Sequence, residues 1–161
     1  MSDIFRDGSA RFVTAFHFME HLQDRNTVYS TFRASLRVAS EAVIIRGPMF
    51  YDEVLSAVGL KFCWADWTIH PYHIEPRELE SMLRRLVKLN EIPTDGVEYT
   101  YEIRYSNPVT SSNHISLLPL DAPKDRDAYD SELDGPKPTD VSLDNIYSRF
   151  EFHVYKTSAG Q

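Results

Sequence analysis

A chain of 161 residues with 42% hydrophobic and 25% charged residues has enough apolar material for one core and too much for a disordered segment. No apolar run approaches the roughly 18 residues that a membrane span needs, and the single cysteine, Cys63, forms no internal disulfide. The net charge of −7 is concentrated in Asp121, Asp125, Asp127, Asp130, Glu132, Asp134, Asp140 and Asp144, against Lys124, Arg126 and Lys137. A near-neutral body is left, so overall acidity does not exclude a local basic face. The expectation is one domain over residues 1–161, cytoplasmic and without a membrane partner, since Met1–Asp7 lacks the basic head and apolar middle of a secretory signal.

Asp7-Gly8-Ser9 reads as a helix start, and Phe12, Ala15, Phe16, Met19 and Leu22 supply an apolar face for a first helix ending near Gln23. A second helix is predicted from about Thr27 to Ile45, on Val28, Phe32, Leu36, Ala39 and Val43. Its apolar end, Ala42-Val43-Ile44-Ile45, is either deeply buried helix or extended chain. Pro48 suits the first turn of a third helix, with Phe50, Val54, Ala57 and Val58 on its face and Gly59 past its end. The stretch from Leu60 to Ile74 holds both tryptophans, Trp64 and Trp67, and has no clear period.

A fourth helix begins at Pro76, with Leu79, Met82, Leu83, Leu86 and Leu89 at helical spacing. Acidic residues lead and basic residues trail along it, as the helix dipole favours. Strict alternation from Val97 to Tyr105 predicts a strand. Two more are expected at about His114–Leu120 and Ile146–Lys156, separated by the acidic, proline-containing arm 121–144. The predicted fold class is α+β: about four helices in the N-terminal half, packed on a small, mostly antiparallel sheet of about three strands. The helix–helix–strand-pair order also resembles a winged helix.

Three groups of side chains are candidate sites. His17-Phe18-Met19-Glu20-His21 matches H-x-x-E-H, which on a helix would set both imidazoles toward one zinc and leave Glu20 as general base. That run resembles the zinc motif of the inverzincin metallopeptidases, which implies a small zinc hydrolase using His17, Glu20 and His21. Cys63, Asp66, His70 and His73 form a second set of permissible ligands. Arg84, Arg85 and Lys88, on the outer face of the fourth helix, could meet phosphates of DNA in a winged-helix regulator.

Glycine-rich phosphate loops, nucleotide-binding fingerprints and G-x-S-x-G elbows are missing from the sequence. On these grounds the chain leans toward a non-enzymatic interaction or assembly subunit of a larger intracellular or viral complex. Its expected protein-facing surface is Trp64, Trp67, Tyr72, Arg84, Arg85 and Lys88, serving a protein partner or self-association. No cofactor is expected, zinc at the histidine motif excepted.

Overall fold

The computed structural model describes residues 4–138 and 140–158. Its elements are β1 (Ala10–Phe16), α1 (Arg25–Val38), β2 (Ala39–Pro48), α2 (Asp52–Ser56), β3 (Leu60–Phe62), α3 (Pro76–Lys88), β4 (Val97–Pro108), β5 (Leu117–Pro119) and β6 (Tyr147–Ser158). Short 3₁₀ turns lie at Met19–His21 and Cys63–Asp66. The main sheet has four strands in the order β1-β2-β6-β4, while β3 and β5 pair as a separate antiparallel ribbon. β1 and β2 run parallel, joined through α1, and β6 runs antiparallel to both β2 and β4.

Register explains which face is buried. Val13 and Ala15 oppose Val43 and Ile45, which oppose Val154 and Phe152, and Ile103 lies beyond Phe152 on β4. This face is covered by Val28, Phe32 and Leu36 of α1 and by Leu79, Met82, Leu83 and Leu86 of α3, all in one core cluster. α1 starts cleanly because the Asp24 side chain accepts from the Thr27 N–H at 2.8 Å. A second, smaller cluster joins Leu55, Leu60, Phe62, Val109, Leu117, Leu143 and Ile146 around the ribbon.

The opposite face of the main sheet presents Phe12 and Phe16, both exposed, beside a polar network. Arg46 Nε donates to Glu151 Oε1 at 2.8 Å, and His153 Nε2 lies 2.8 Å from Glu151 Oε2. The His153 contact, then the Arg46 guanidinium, holds the Glu151 carboxyl below its ordinary range. A carboxyl whose native pKa is depressed stabilises the fold above its unfolded pKa and loses that contribution as pH falls through the native value. Glu151→Gln is therefore expected to lower the melting temperature at neutral pH. Thermal scans should show the gap to wild type closing as pH drops below about 4.

The expected four-helix half on a three-stranded sheet is overturned. Residues predicted as the first helix form β1 and a 3₁₀ turn, because Phe12 and Phe16, four apart, share a face in a strand as well as in a helix. The second predicted helix stops at Val38, and the apolar run beyond it takes the extended alternative as β2. Pro48 ends that strand rather than opening a helix, and α2 is only five residues long. No winged helix forms, since the sheet has a parallel pair at one edge and inserts β6 between β2 and β4.

The acidic arm is held against the domain at several points. Buried Lys61 pairs with Asp66 and donates to the carbonyls of Leu120 and Ala122, each at 2.9 Å. Arg126 reaches buried Asp134 at 2.8 Å, and the Trp67 indole donates to the Arg126 carbonyl. None of the helices among the described residues is long and apolar enough to cross a membrane.

Candidate functional site

In an open sheet with parallel strands, ligands gather beyond the carboxyl ends of those strands. Here β1 ends at Phe16 and β2 at Pro48, and the chemistry-bearing side chains collect just past both. His17 follows β1 directly in a left-handed conformation, with φ 49°. That bend drops the chain into the 3₁₀ turn, which buries Met19 and Glu20 and leaves His21 at the surface.

Glu20 is 1% exposed. Its Oε1 lies 3.3 Å from His17 Nδ1, but its Oε2 is buried without any hydrogen-bond partner. A buried carboxylate oxygen left bare is costly, so this atom calls for a counter-charge. Space for one exists because Gly47 lies opposite: a Cβ there would sit 3.6 Å from Glu20 Oε2 and 3.2 Å from the Phe150 ring.

His70 completes the group from the aromatic stretch before α3. It is 7% exposed, and its ring centroid lies 4.9 Å from that of His21. Burial pushes its pKa down, which favours the neutral imidazole. Nδ1 of His70 lies 3.0 Å from the Trp64 carbonyl, and Nδ1 of His21 lies 2.8 Å from the Ile69 carbonyl. A carbonyl only accepts, so both Nδ1 atoms carry a proton, and in a neutral ring Nε2 is then the atom left to bind a ligand. One ligand atom each from Glu20, His21 and His70 falls within a 4.8 Å group. The cleft at their mouth encloses about 300 Å³ and is lined by Trp64, Trp67, Ile69 and Arg149, among others.

A larger cleft of about 820 Å³ is walled by Tyr51, Asp52, His73, Glu75, Tyr105 and Tyr147. His73 Nδ1 is 2.6 Å from Asp52 Oδ2, and its ring stacks on buried Phe50 with centroids 4.0 Å apart and planes 6° from parallel. The imidazole is thus fixed in position, with Nδ1 turned to Asp52 and Nε2 on the opposite side of the ring. Burial raises the Glu75 carboxyl above its ordinary range, aided by Asp52.

The sequence-predicted residues divide accordingly. His17, Glu20 and His21 do meet, but not on a helix, and His17 contacts Glu20 rather than completing the three-ligand group. From the second set only His70 joins them. Cys63 is buried with its thiol pushed up to about 11 by desolvation, Asp66 pairs with Lys61, and His73 pairs with Asp52.

Trp64 donates its indole N–H to the Met49 carbonyl at 2.8 Å and stacks on Phe62, so with Trp67 it walls the smaller cleft. The Tyr72 hydroxyl donates to Glu78 at 2.5 Å. Arg84 is paired with Glu80, Arg85 lies over the Tyr29 ring, and Lys88 is exposed. The His73–Asp52 pair has no signature in the sequence.

Neither the protein-family models nor the curated proteins contain a match to this chain. Among solved structures it is similar to one described as a SAM dependent methyltransferase from Archaeoglobus fulgidus, with a TM-score of 0.52 and 13% sequence identity. The likeness covers 95% of this chain and 62% of that one, so the chain spans under two thirds of the solved protein's length. At that identity the likeness bears on the fold alone, an open, Rossmann-like α/β arrangement. The expectation of a non-enzymatic assembly subunit finds no support in this likeness, since the solved structure with the similar fold is described as a methyltransferase. The winged-helix regulator fails with its fold. The zinc hydrolase loses the helix that its motif required.

Proposed function

We propose that the protein is an enzyme of the methyltransferase type, and that this chain builds the acceptor side of its reaction centre. The observation that carries the reading is positional. The smaller cleft opens past the carboxyl ends of β1 and β2 and the larger past that of β2, where an open sheet of this kind holds its ligands. The fold of the solved methyltransferase supports the same assignment. In the larger cleft, His73 with Asp52 behind it is arranged as a general base for a hydroxyl or amine acceptor, and Tyr51, Tyr105 and Tyr147 offer flat walls with polar tips.

S-adenosylmethionine, the methyl donor in the solved protein's description, has an adenosine and a charged amino-acid tail. The residues of this chain do not fit that molecule by themselves. The turn after β1 carries His17, Phe18 and Met19 where a close backbone approach would need small residues. Gly47, near the end of β2, faces space already bounded by Phe150 and Glu20. The cleft between them, at about 300 Å³, lies at the small end for an organic ligand.

Because this chain supplies only the acceptor side, native protein taken gently from its source, with the component that completes the donor side still attached, is expected to travel with S-adenosylmethionine or its demethylated product, identified by mass spectrometry after acid release. It should also move a tritiated methyl group to an acceptor in a desalted extract. Protein that carries neither molecule and transfers no label would sink the reading.

A further inference from the structure

We propose that Glu20, His21 and His70 form a binding site for one divalent transition-metal ion, zinc foremost. The ligand set is two imidazoles and a carboxylate, a composition that suits zinc and its neighbours better than calcium or magnesium. Their ligand atoms lie within 4.8 Å of one another, close enough for small movements to bring all three onto one ion.

Two independent observations point to a cation here. Glu20 Oε2 is buried and lacks any hydrogen-bond partner, which a positive ion would supply. Both histidines donate Nδ1–H to a main-chain carbonyl, at 2.8 Å for His21 and 3.0 Å for His70. Metal-ligating histidines are held in this way, with the second ring nitrogen fixed so that the first faces the ion.

The site is also open on one side. Three protein ligands beside a cleft of about 300 Å³ leave at least one coordination position for water or a substrate oxygen. Structural zinc is instead enclosed by four protein ligands. His17 is not a ligand in this arrangement. Its ring reaches Glu20 Oε1 at 3.3 Å and so acts as a positioning residue, which separates this site from a His17–His21 pair on a helix. Cys63, buried and with a raised pKa, stays outside it.

Zinc uptake is read directly on the whole chain, so this proposal and methyl transfer can fail separately. Chelator-stripped protein titrated against a zinc indicator is expected to take up one ion per chain with micromolar affinity or better. Cobalt in its place should give the intense visible bands of a low-symmetry, four- or five-coordinate site. Glu20→Gln and His70→Asn should each abolish stoichiometric uptake. His17→Ala should weaken it about 10–100-fold, as loss of a supporting partner does, and Cys63→Ser should leave it unchanged.

Misfolding is separated from ligand loss by the metal-free melting temperature. Glu20→Gln removes a buried carboxylate whose Oε2 has no hydrogen-bond partner, and is expected to melt no lower than wild type without zinc and to gain nothing from zinc. Wild-type protein that takes up no zinc at micromolar concentration overturns the proposal. So does uptake that survives in the His70→Asn variant at wild-type affinity.

Discussion

Phe152→Ala is expected to lower the free energy of unfolding by about 3–5 kcal/mol, the range for emptying a fully buried aromatic position. Phe152 sits where the layers of the domain meet. It is on β6, which is hydrogen-bonded on both sides, and it opposes Ile45 of β2 and Ile103 of β4. Its ring meets Phe32 of α1 edge-on at 6.2 Å and stacks with Tyr101 of β4 at 5.5 Å. No single neighbour can relax into the vacated space without loosening another contact, so much of the cavity should persist. Phe12, 52% exposed on the uncovered face of the same sheet, provides the control. Phe12→Ala should change stability by no more than about 0.5 kcal/mol. Urea denaturation of the two variants at neutral pH decides the matter, and a loss below about 1 kcal/mol at Phe152 would mean that β6 is not the centre of the core.

The elements that could be read from the sequence are those with only one possible period. Leu79, Met82, Leu83 and Leu86 fit a helix and no strand, and Pro76 marks its first position, so α3 appears where the pattern puts it. The alternation from Val97 likewise allows only a strand, which continues to Pro108. Spacings of four are ambiguous by geometry, since four residues make one helical turn and also two strand repeats. Phe12 and Phe16 in β1 fell to that ambiguity. Strand neighbours were hidden for a different reason: β6, last in the chain, inserts between β2 and β4, and periodicity carries no information about such pairing.

The site was legible to the same partial degree. Glu20 and His21 stand side by side, so any reading of the motif finds them. His70 reaches them only because the aromatic stretch folds back until the Ile69 carbonyl meets His21. The one signal in the sequence was the cost of leaving so many aromatic residues uncovered. That argument left two outcomes, packing back on the domain or meeting a partner, and Trp64 and Trp67 line a cleft of the domain and anchor its loops.

On the proposed function, His73→Ala is expected to reduce the turnover number for methyl transfer by about 10²–10⁴-fold, the usual worth of a positioned general base. With Nδ1–H donating to Asp52 at 2.6 Å and the ring lying flat on Phe50 at 4.0 Å, the imidazole has one orientation. Nε2 would serve to hold the proton of an acceptor hydroxyl or amine seated in the 820 Å³ cleft, which is this chain's own part in the reaction. Removal of the base should leave acceptor binding nearly intact, so KM should move only a few-fold while kcat falls. Asp52→Asn should act in the same direction, because an amide can donate to Nδ1 and thereby favour the wrong tautomer. Steady-state kinetics with a labelled methyl group separates this role from a structural one. A fall in kcat accompanied by an equal fall in melting temperature across both variants would argue that His73 only packs on Phe50. Full activity in His73→Ala would move the base elsewhere, with Glu75 next in the same cleft, its carboxyl already raised by burial beside Asp52.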